Sequence, residues 1–211
     1  MSLLPRIYPL TDAFISGLSH SEQVRYLIKG GARLIQLREK RASSRQFYLE
    51  AREAVTIAKE LEVKIIINDR VDIAFAVGAD GVHLGQEDLP PRYARKLLGK
   101  KAIIGYSTHN VRQAIEALKM PIDYISIGPI FPTRTKENPD PVVGLEGIKA
   151  VRKVIGSFPL VAIGGINLEN AELVLEAGAD CVAVVSDLVS EPSRIAEKMA
   201  QFGDRLDKFK K

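Results

Sequence analysis

Eight short apolar runs, rich in Ile and Val, alternate with longer amphipathic stretches from one end of the chain to the other. The runs fall at 6–10, 34–38, 64–68, 81–84, 102–106, 124–127, 160–163 and 182–185. Brief runs in which both residue parities are apolar read as strands covered on both faces, the condition of a parallel sheet. The stretches between them carry the helical period. Residues 43–61 place Phe47, Ala51, Ala54, Val55, Ala58 and Leu61 on one face. Asn167 reads as the cap of a helix over 169–177 closed by Gly178. Eight strand–helix pairs in 211 residues predict an α/β fold, a single-domain (β/α)8 TIM barrel spanning 1–211. A doubly wound open sheet is the alternative, but no Gly-x-Gly-x-x-Gly turn follows the first strand.

An internal echo supports the barrel. Gly31-Ala32, Gly78-Ala79-Asp80, Ile122-Asp123 and Gly178-Ala179-Asp180 stand just before strands 2, 4, 6 and 8, as a barrel assembled from βαβα quarters requires. Each reads as a helix-ending glycine, or its substitute, feeding the next strand. With 46% hydrophobic and 27% charged residues, the chain has the composition of a folded globular protein. A lone cysteine, Cys181, excludes an intrachain disulfide and a zinc site built on several thiolates. No apolar run reaches the ~18 residues of a membrane span. Residues 1–11 lack a basic n-region and read as a strand, so a cytoplasmic location is expected. The net charge of +4 is spread among acidic residues, without the basic stripe that nucleic-acid or membrane partners need. Small-molecule substrates are the expected partners.

The residues with chemistry gather at strand ends. In Gln36-Leu37-Arg38-Glu39-Lys40, alternation turns Gln36, Arg38 and Lys40 one way and Leu37 the other. The apolar set faces the helices, which puts Gln36 and Arg38 inside the barrel near its C-terminal mouth, where active sites of this fold lie. A cation there calls for an anion: a bound ligand, or an internal pair with Glu39 or Asp69. Asn68-Asp69 ends strand 3 and Asp88 follows strand 4. Two carboxylates beside cations fit Mg²⁺ held together with substrate phosphates; helix capping is the alternative for each. The segment 128–143 is the longest irregular stretch, and its Thr133, Thr135 and Lys136 suit phosphate oxygens. Gly164-Gly165 ends strand 7 and Ser186 ends strand 8, the position of a phosphate site in many such barrels. Ser107 ends strand 5 and either meets ligand or caps a helix, for which Asn110 is the better cap. His83 reads as packed or hydrogen-bonded, His109 as a rim acid/base candidate, His20 as a surface helix start, and Cys181 as lying before strand 8, away from the mouth. No nucleophile elbow, Walker A or HExxH occurs.

Taken together with Ile67-Asn68-Asp69-Arg70, the run from Asp80 to Asp88, the run from Gly128 to Lys136, and Ile163-Gly164-Gly165-Ile166, this pattern resembles the thiamine-phosphate synthase family over nearly the whole chain. The resemblance implies an enzyme, a transferase joining hydroxymethylpyrimidine diphosphate to thiazole phosphate with release of diphosphate. It implies that Gln36, Leu37, Arg38, Glu39, Lys40, Asn68, Ser107 and Lys136 hold the pyrimidine diphosphate. Thr133, Arg134, Thr135, Gly165, Val185 and Ser186 would hold the thiazole phosphate, and Asp69 and Asp88 would ligate Mg²⁺. Arg38, Lys40, Lys136 and Ser107 become the catalytic candidates, in a dissociative reaction that needs no nucleophile from the protein. Asn138, where an aspartate is common, and a short turn after Lys40 depart from the family pattern. The rivals are a thiazole tautomerase of the same fold, working through a histidine near His109, and a non-catalytic ligand-binding regulator.

Overall fold

The computed structural model describes residues 4–133, 135 and 140–208. Eight parallel strands close into a barrel in sequence order: β1 (Ile7–Asp12), β2 (Leu34–Arg38), β3 (Lys64–Asn68), β4 (Gly81–Leu84), β5 (Ile103–Thr108), β6 (Tyr124–Ile127), β7 (Leu160–Ile163) and β8 (Cys181–Val184). The helices among the described residues are α1 (Ala13–Ser16), α2 (His20–Lys29), α3 (Ser44–Glu60), α4 (Val71–Val77), α5 (Pro91–Leu98), α6 (Val111–Ala117), α7 (Gly144–Ile155), α8 (Ala171–Glu176), α9 (Ser186–Val189) and α10 (Ile195–Leu206). One helix of the outer layer follows each strand; α1 and α9 are short extras at the mouth, after β1 and β8. No helix among the described residues is long and apolar enough to cross a membrane.

The expected strands agree within two residues, and the differences are informative. β1 runs on to Thr11 and Asp12, and β5 to Ser107 and Thr108. Polar residues at these ends interrupt the apolar pattern, although their backbone stays in the ladder. α8 begins at Ala171, later than expected, because Asn167 spends its side chain on the backbone N–H groups of Glu169 and Asn170 in the preceding turn.

Register separates the two faces. Cross-strand partners point the same way, so the ring running through Gln36, Ile66, Gly81 and Ile103 lines the interior. A second runs through Asn68, His83, Gly105 and Tyr124. The other parity packs Ile35, Leu37, Ile65, Ile67, Val82, Ile104, Ile125 and Val182, all buried, beneath the helices.

The internal echo has a structural cause beyond helix termination. Asp80, Asp123 and Asp180 each clamp a residue at the start of the preceding strand, its first or second, at two points. Their carboxylates accept from the amides of Ile65 (2.8 Å), Ile104 (2.7 Å) and Leu160 (2.9 Å), and their own amides donate back to the same residues' carbonyls. Arg95 from α5 then binds Asp123 at 2.6 Å, and Arg152 from α7 binds Asp180 at 2.5 Å. Arg152 also gathers the carbonyls of Gly156, Phe158 and Gly178, closing two floor loops with one guanidinium. The floor is thus held by a repeated Asp–Arg device far from the mouth.

Asp180→Ala leaves the Leu160 amide and Arg152 Nη2 without their acceptor. It is expected to lower stability by about 2 kcal/mol in urea unfolding, the cost of a buried donor stripped of its partner. Asp123→Ala should behave alike, and a loss below ~0.5 kcal/mol in both would contradict the clamp.

Candidate active site

The mouth is assembled from the C-terminal ends of the strands. Gln36 and Arg38 do turn inward. Arg38 forms its ion pair with Asp12 of β1, neither with Glu39 nor with Asp69, and it also reaches the Thr135 carbonyl at 3.4 Å. Asp12 serves two groups at once, because its other oxygen caps α1 by accepting from the Ile15 amide at 3.1 Å. Sequence reading missed Asp12 by ending the first strand two residues short; its signal was a carboxylate followed by a helical turn.

Glu39 faces the opposite way, toward the helix layer. It meets His20 at 3.3 Å and accepts from the amides of Arg41 (2.6 Å) and Ala42 (3.0 Å), so it ties the β2 loop down. The His20 hydrogen bond, aided by those amides, outweighs burial and holds the Glu39 carboxyl down at about 2. His20 starts α2 as expected but is wholly buried and not on the surface, since Thr11 Oγ1 takes its Nδ1 at 2.7 Å. Leu37 is likewise buried under the helices. Of the five residues in this motif, Arg38 and Lys40 present side chains to the mouth, Gln36 is buried in the interior against Tyr8, and Leu37 and Glu39 shape the wall.

Asp69 adopts φ 61°, a left-handed conformation unusual outside glycine, and pairs with Lys40. Asp88 is half-buried and accepts the Gly85 amide at 2.7 Å. Burial, and then the adjacent Asp69 carboxylate, push its pKa up. Neither residue caps a helix: α4 starts from Arg70 without a side-chain cap and α5 from Pro90. Two hard-oxygen groups therefore converge, and no cluster of three His, Cys, Asp or Glu suited to a metal exists among the described residues. That donor set fits a cation such as Mg²⁺, which takes few protein ligands and fills its shell with phosphate oxygens and water.

On the other side, the segment after β6 lies along the end of β7. Ile130 and Phe131 donate their amides to the carbonyls of Ile163 and Gly164, both at 2.9 Å. This explains the glycine pair: φ is 103° at Gly164 and 65° at Gly165, and a Cβ on Gly165 would stand 2.6 Å from the Pro132 carbonyl oxygen. The space above Gly165 is claimed by a neighbouring loop, a reason that sequence reading did not supply. Gly165, Asn167, Ser186 and Ser190 help line an open depression of about 280 Å³. Ser186 is exposed at the start of α9, whereas the Val185 side chain is buried. Thr133 Oγ1 accepts the Thr135 amide at 3.3 Å. Arg134, Lys136 and Asn138 lie outside the described residues.

His109 donates Nδ1–H to the Gly128 carbonyl at 2.7 Å and sets Nε2 3.6 Å from Asp140, bridging into the same segment. Asn110, as expected, caps α6. Ser107 Oγ lies 2.8 Å from His83 Nε2. Cys181 opens β8 itself instead of preceding it; it is buried, and burial raises its thiol pKa far above the ordinary value, which disqualifies it as a nucleophile.

A family model described as thiamine monophosphate synthase matches residues 7–188. The thiamine-phosphate synthase of Clostridium novyi is 47% identical over 190 residues, covering 90% of this chain and 93% of that protein. That of Syntrophomonas wolfei is 48% identical over 202 residues, covering 94% and 96%. Among solved structures, a thiamine phosphate pyrophosphorylase from Pyrococcus furiosus superposes with a TM-score of 0.86 at 34% identity, covering 96% of both chains.

Glu39 gives the wall a defined acid sensitivity. Its carboxyl is depressed from 4.5 to about 2, so its contribution is complete above the ordinary value and fades as pH falls toward 2. Glu39→Gln should flatten that part of the stability–pH curve in urea titrations; an unchanged acid limb would show that the His20 contact carries no weight.

Proposed function

The chain belongs to the thiamine-phosphate synthase family, and we propose that its barrel mouth joins 4-amino-5-hydroxymethyl-2-methylpyrimidine diphosphate to 4-methyl-5-(2-hydroxyethyl)thiazole phosphate, giving thiamine phosphate and diphosphate. The observation that carries this reading, beside the family, is the division of the mouth. Cations and carboxylates occupy the β1–β4 side, and a glycine- and serine-lined depression opens after β7 and β8. Two anionic substrates of different charge would thus have separate seats. The rival tautomerase reading, through a histidine near His109, is disfavoured because the diphosphate and metal residues Arg38, Lys40, Asp69 and Asp88 are all present at the mouth.

Gln36, Asn68 and Ser107 line the inner wall for the pyrimidine, with Leu37 and Glu39 as its support. Arg38 and Lys40 face the diphosphate, joined by Lys136. Thr133, Arg134, Thr135, Gly165, Val185 and Ser186 take the thiazole phosphate. Asp69 and Asp88 would hold Mg²⁺, which when bound supplies positive charge to the diphosphate oxygens. The bond between the pyrimidine methylene and the diphosphate oxygen breaks first, and the thiazole nitrogen then traps the cation. Negative charge grows on the departing oxygens as that bond lengthens. Arg38 and Lys40 are placed to meet it, an electrostatic form of catalysis that needs no covalent intermediate with the protein.

Mixing both substrates with Mg²⁺ and watching for thiamine phosphate tests the reaction. Chelation should abolish turnover and Asp69→Ala should reduce it by at least a hundredfold; turnover undiminished after thorough chelation would sink the metal assignment. Lys136→Ala should lower single-turnover kcat by roughly a hundredfold, about 3 kcal/mol of lost transition-state stabilisation, with little change in the Kd of the pyrimidine diphosphate. A hundredfold weaker Kd with an unchanged saturating rate would make Lys136 a ground-state binding residue.

A further inference from the structure

Five side chains from five strands form one hydrogen-bonded chain through the barrel interior. Gln36 Nε2 donates to Tyr8 Oη at 3.0 Å, and Tyr8 Oη lies 3.2 Å from Tyr124 Oη. Tyr124 Oη lies 2.9 Å from His83 Nδ1, and His83 Nε2 lies 2.8 Å from Ser107 Oγ. Tyr8, Gln36, His83 and Tyr124 are buried, and Ser107 stands at the mouth end. The fold keeps a gap for this chain. Gly105 is in register with both His83 and Tyr124, and a Cβ there would fall 2.3 Å from Tyr124 Oη and 2.4 Å from His83 Nδ1. Tyr124 reaches across β5 to His83 only because residue 105 has no side chain.

The chain has a direction. An amide nitrogen can only donate, so Tyr8 Oη accepts from Gln36, and Tyr124 Oη is then the one acceptor among its described partners for the Tyr8 proton. Tyr124 in turn donates to His83 Nδ1. Both described partners of His83 are hydroxyls, so the buried ring is neutral and its single proton sits on Nε2. Nε2–H then donates to Ser107 Oγ, and the Ser107 proton is left to point into the mouth. Run the other way, the chain would turn that proton toward His83 and offer the ligand lone pairs only.

We propose that this chain makes Ser107 an obligate hydrogen-bond donor toward an acceptor atom of the pyrimidine substrate, a ring nitrogen, with His83 and Tyr124 as positioning residues. The proposal rests on the reading that the pyrimidine diphosphate sits beside Ser107.

Nitrogen-15 NMR of the labelled protein reads the direction without substrate, and the chain has only 3 histidines to assign. His83 should show a bare Nδ1 and a protonated Nε2, and Tyr124→Phe should abolish that fixed tautomer. In steady-state assays Tyr124→Phe should lower kcat/KM for the pyrimidine substrate about three- to tenfold, the worth of one neutral hydrogen bond, with the KM for thiazole phosphate unmoved. Tyr8→Phe removes an equally buried hydroxyl but leaves Tyr124 its proton, so its effect should be smaller; a merely structural role would make the two alike. A proton on Nδ1 in the unsubstituted protein, or equal kinetic losses in the two variants, overturns the proposal. A bare Nδ1 with pyrimidine kinetics unmoved by Tyr124→Phe overturns the donor role of Ser107. Absence of thiamine phosphate from the unsubstituted enzyme would instead refute the reading beneath it, and the tautomer would still decide the chain.

Discussion

A polar side chain turned into a closed barrel must find its partner inside it, because closure leaves no sheet edge or face open to water. Among the described residues no buried side-chain nitrogen or oxygen lacks a hydrogen-bond partner. The interior of this barrel is unusually polar toward its mouth, and that requirement dictates its arrangement. Arg38 needs Asp12, Gln36 needs Tyr8, and His83 needs both Tyr124 and Ser107. Each pairing fixes a rotamer, and the fixed rotamers together make a mouth that is set before any ligand arrives.

The two ends of the barrel solve different problems with similar chemistry. At the floor, Asp123 and Asp180 pair with Arg95 and Arg152, and the arginines also saturate loop carbonyls, so these ions are tied at both ends into backbone. At the mouth, Arg38 and Lys40 pair with single carboxylates, and the Lys40 side chain is 51% exposed. The floor pairs leave the arginines little freedom to answer a ligand. The mouth pairs leave donors on the guanidinium and ammonium that an incoming diphosphate can use.

Much of this was legible in one dimension. Strands apolar on both parities, separated by helical periods, specify a parallel barrel, and the parity of Gln36 and Arg38 already placed them inside. What escaped was whatever depends on pairing across the chain. Asp12 and Arg38 stand 26 positions apart and meet only because β1 and β2 are in register there. His20 looked like an exposed helix start because nothing local announces Thr11 and Glu39 as its partners. The strand end at Asp12 was missed for the reason that lets it pair with Arg38: a polar residue breaks the apolar signal by which a strand is recognised. Gly165 was read as letting a phosphate approach the backbone, while the need for glycine there comes also from Pro132 and Phe131, which stand where a Cβ would be.

The paired state of the mouth cations bears on how charge is handled during the reaction. Arg38 and Lys40 rest against Asp12 and Asp69, so binding a diphosphate adds anionic charge beside carboxylates that already hold these cations. If Asp69 and Asp88 turn to a magnesium ion, Lys40 loses its partner as the substrate gains one, and the exchange places the ammonium on the diphosphate without stripping any charge bare. Arg38 differs, because Asp12 is also held in place by the Ile15 amide. On the proposed reading, Arg38 would then stay a fixed, half-neutralised donor while Lys40 would be the one that moves. Preorganised charge of the first kind orients the substrate, and charge released on binding, of the second kind, is free to strengthen its contact as negative charge builds on the leaving group.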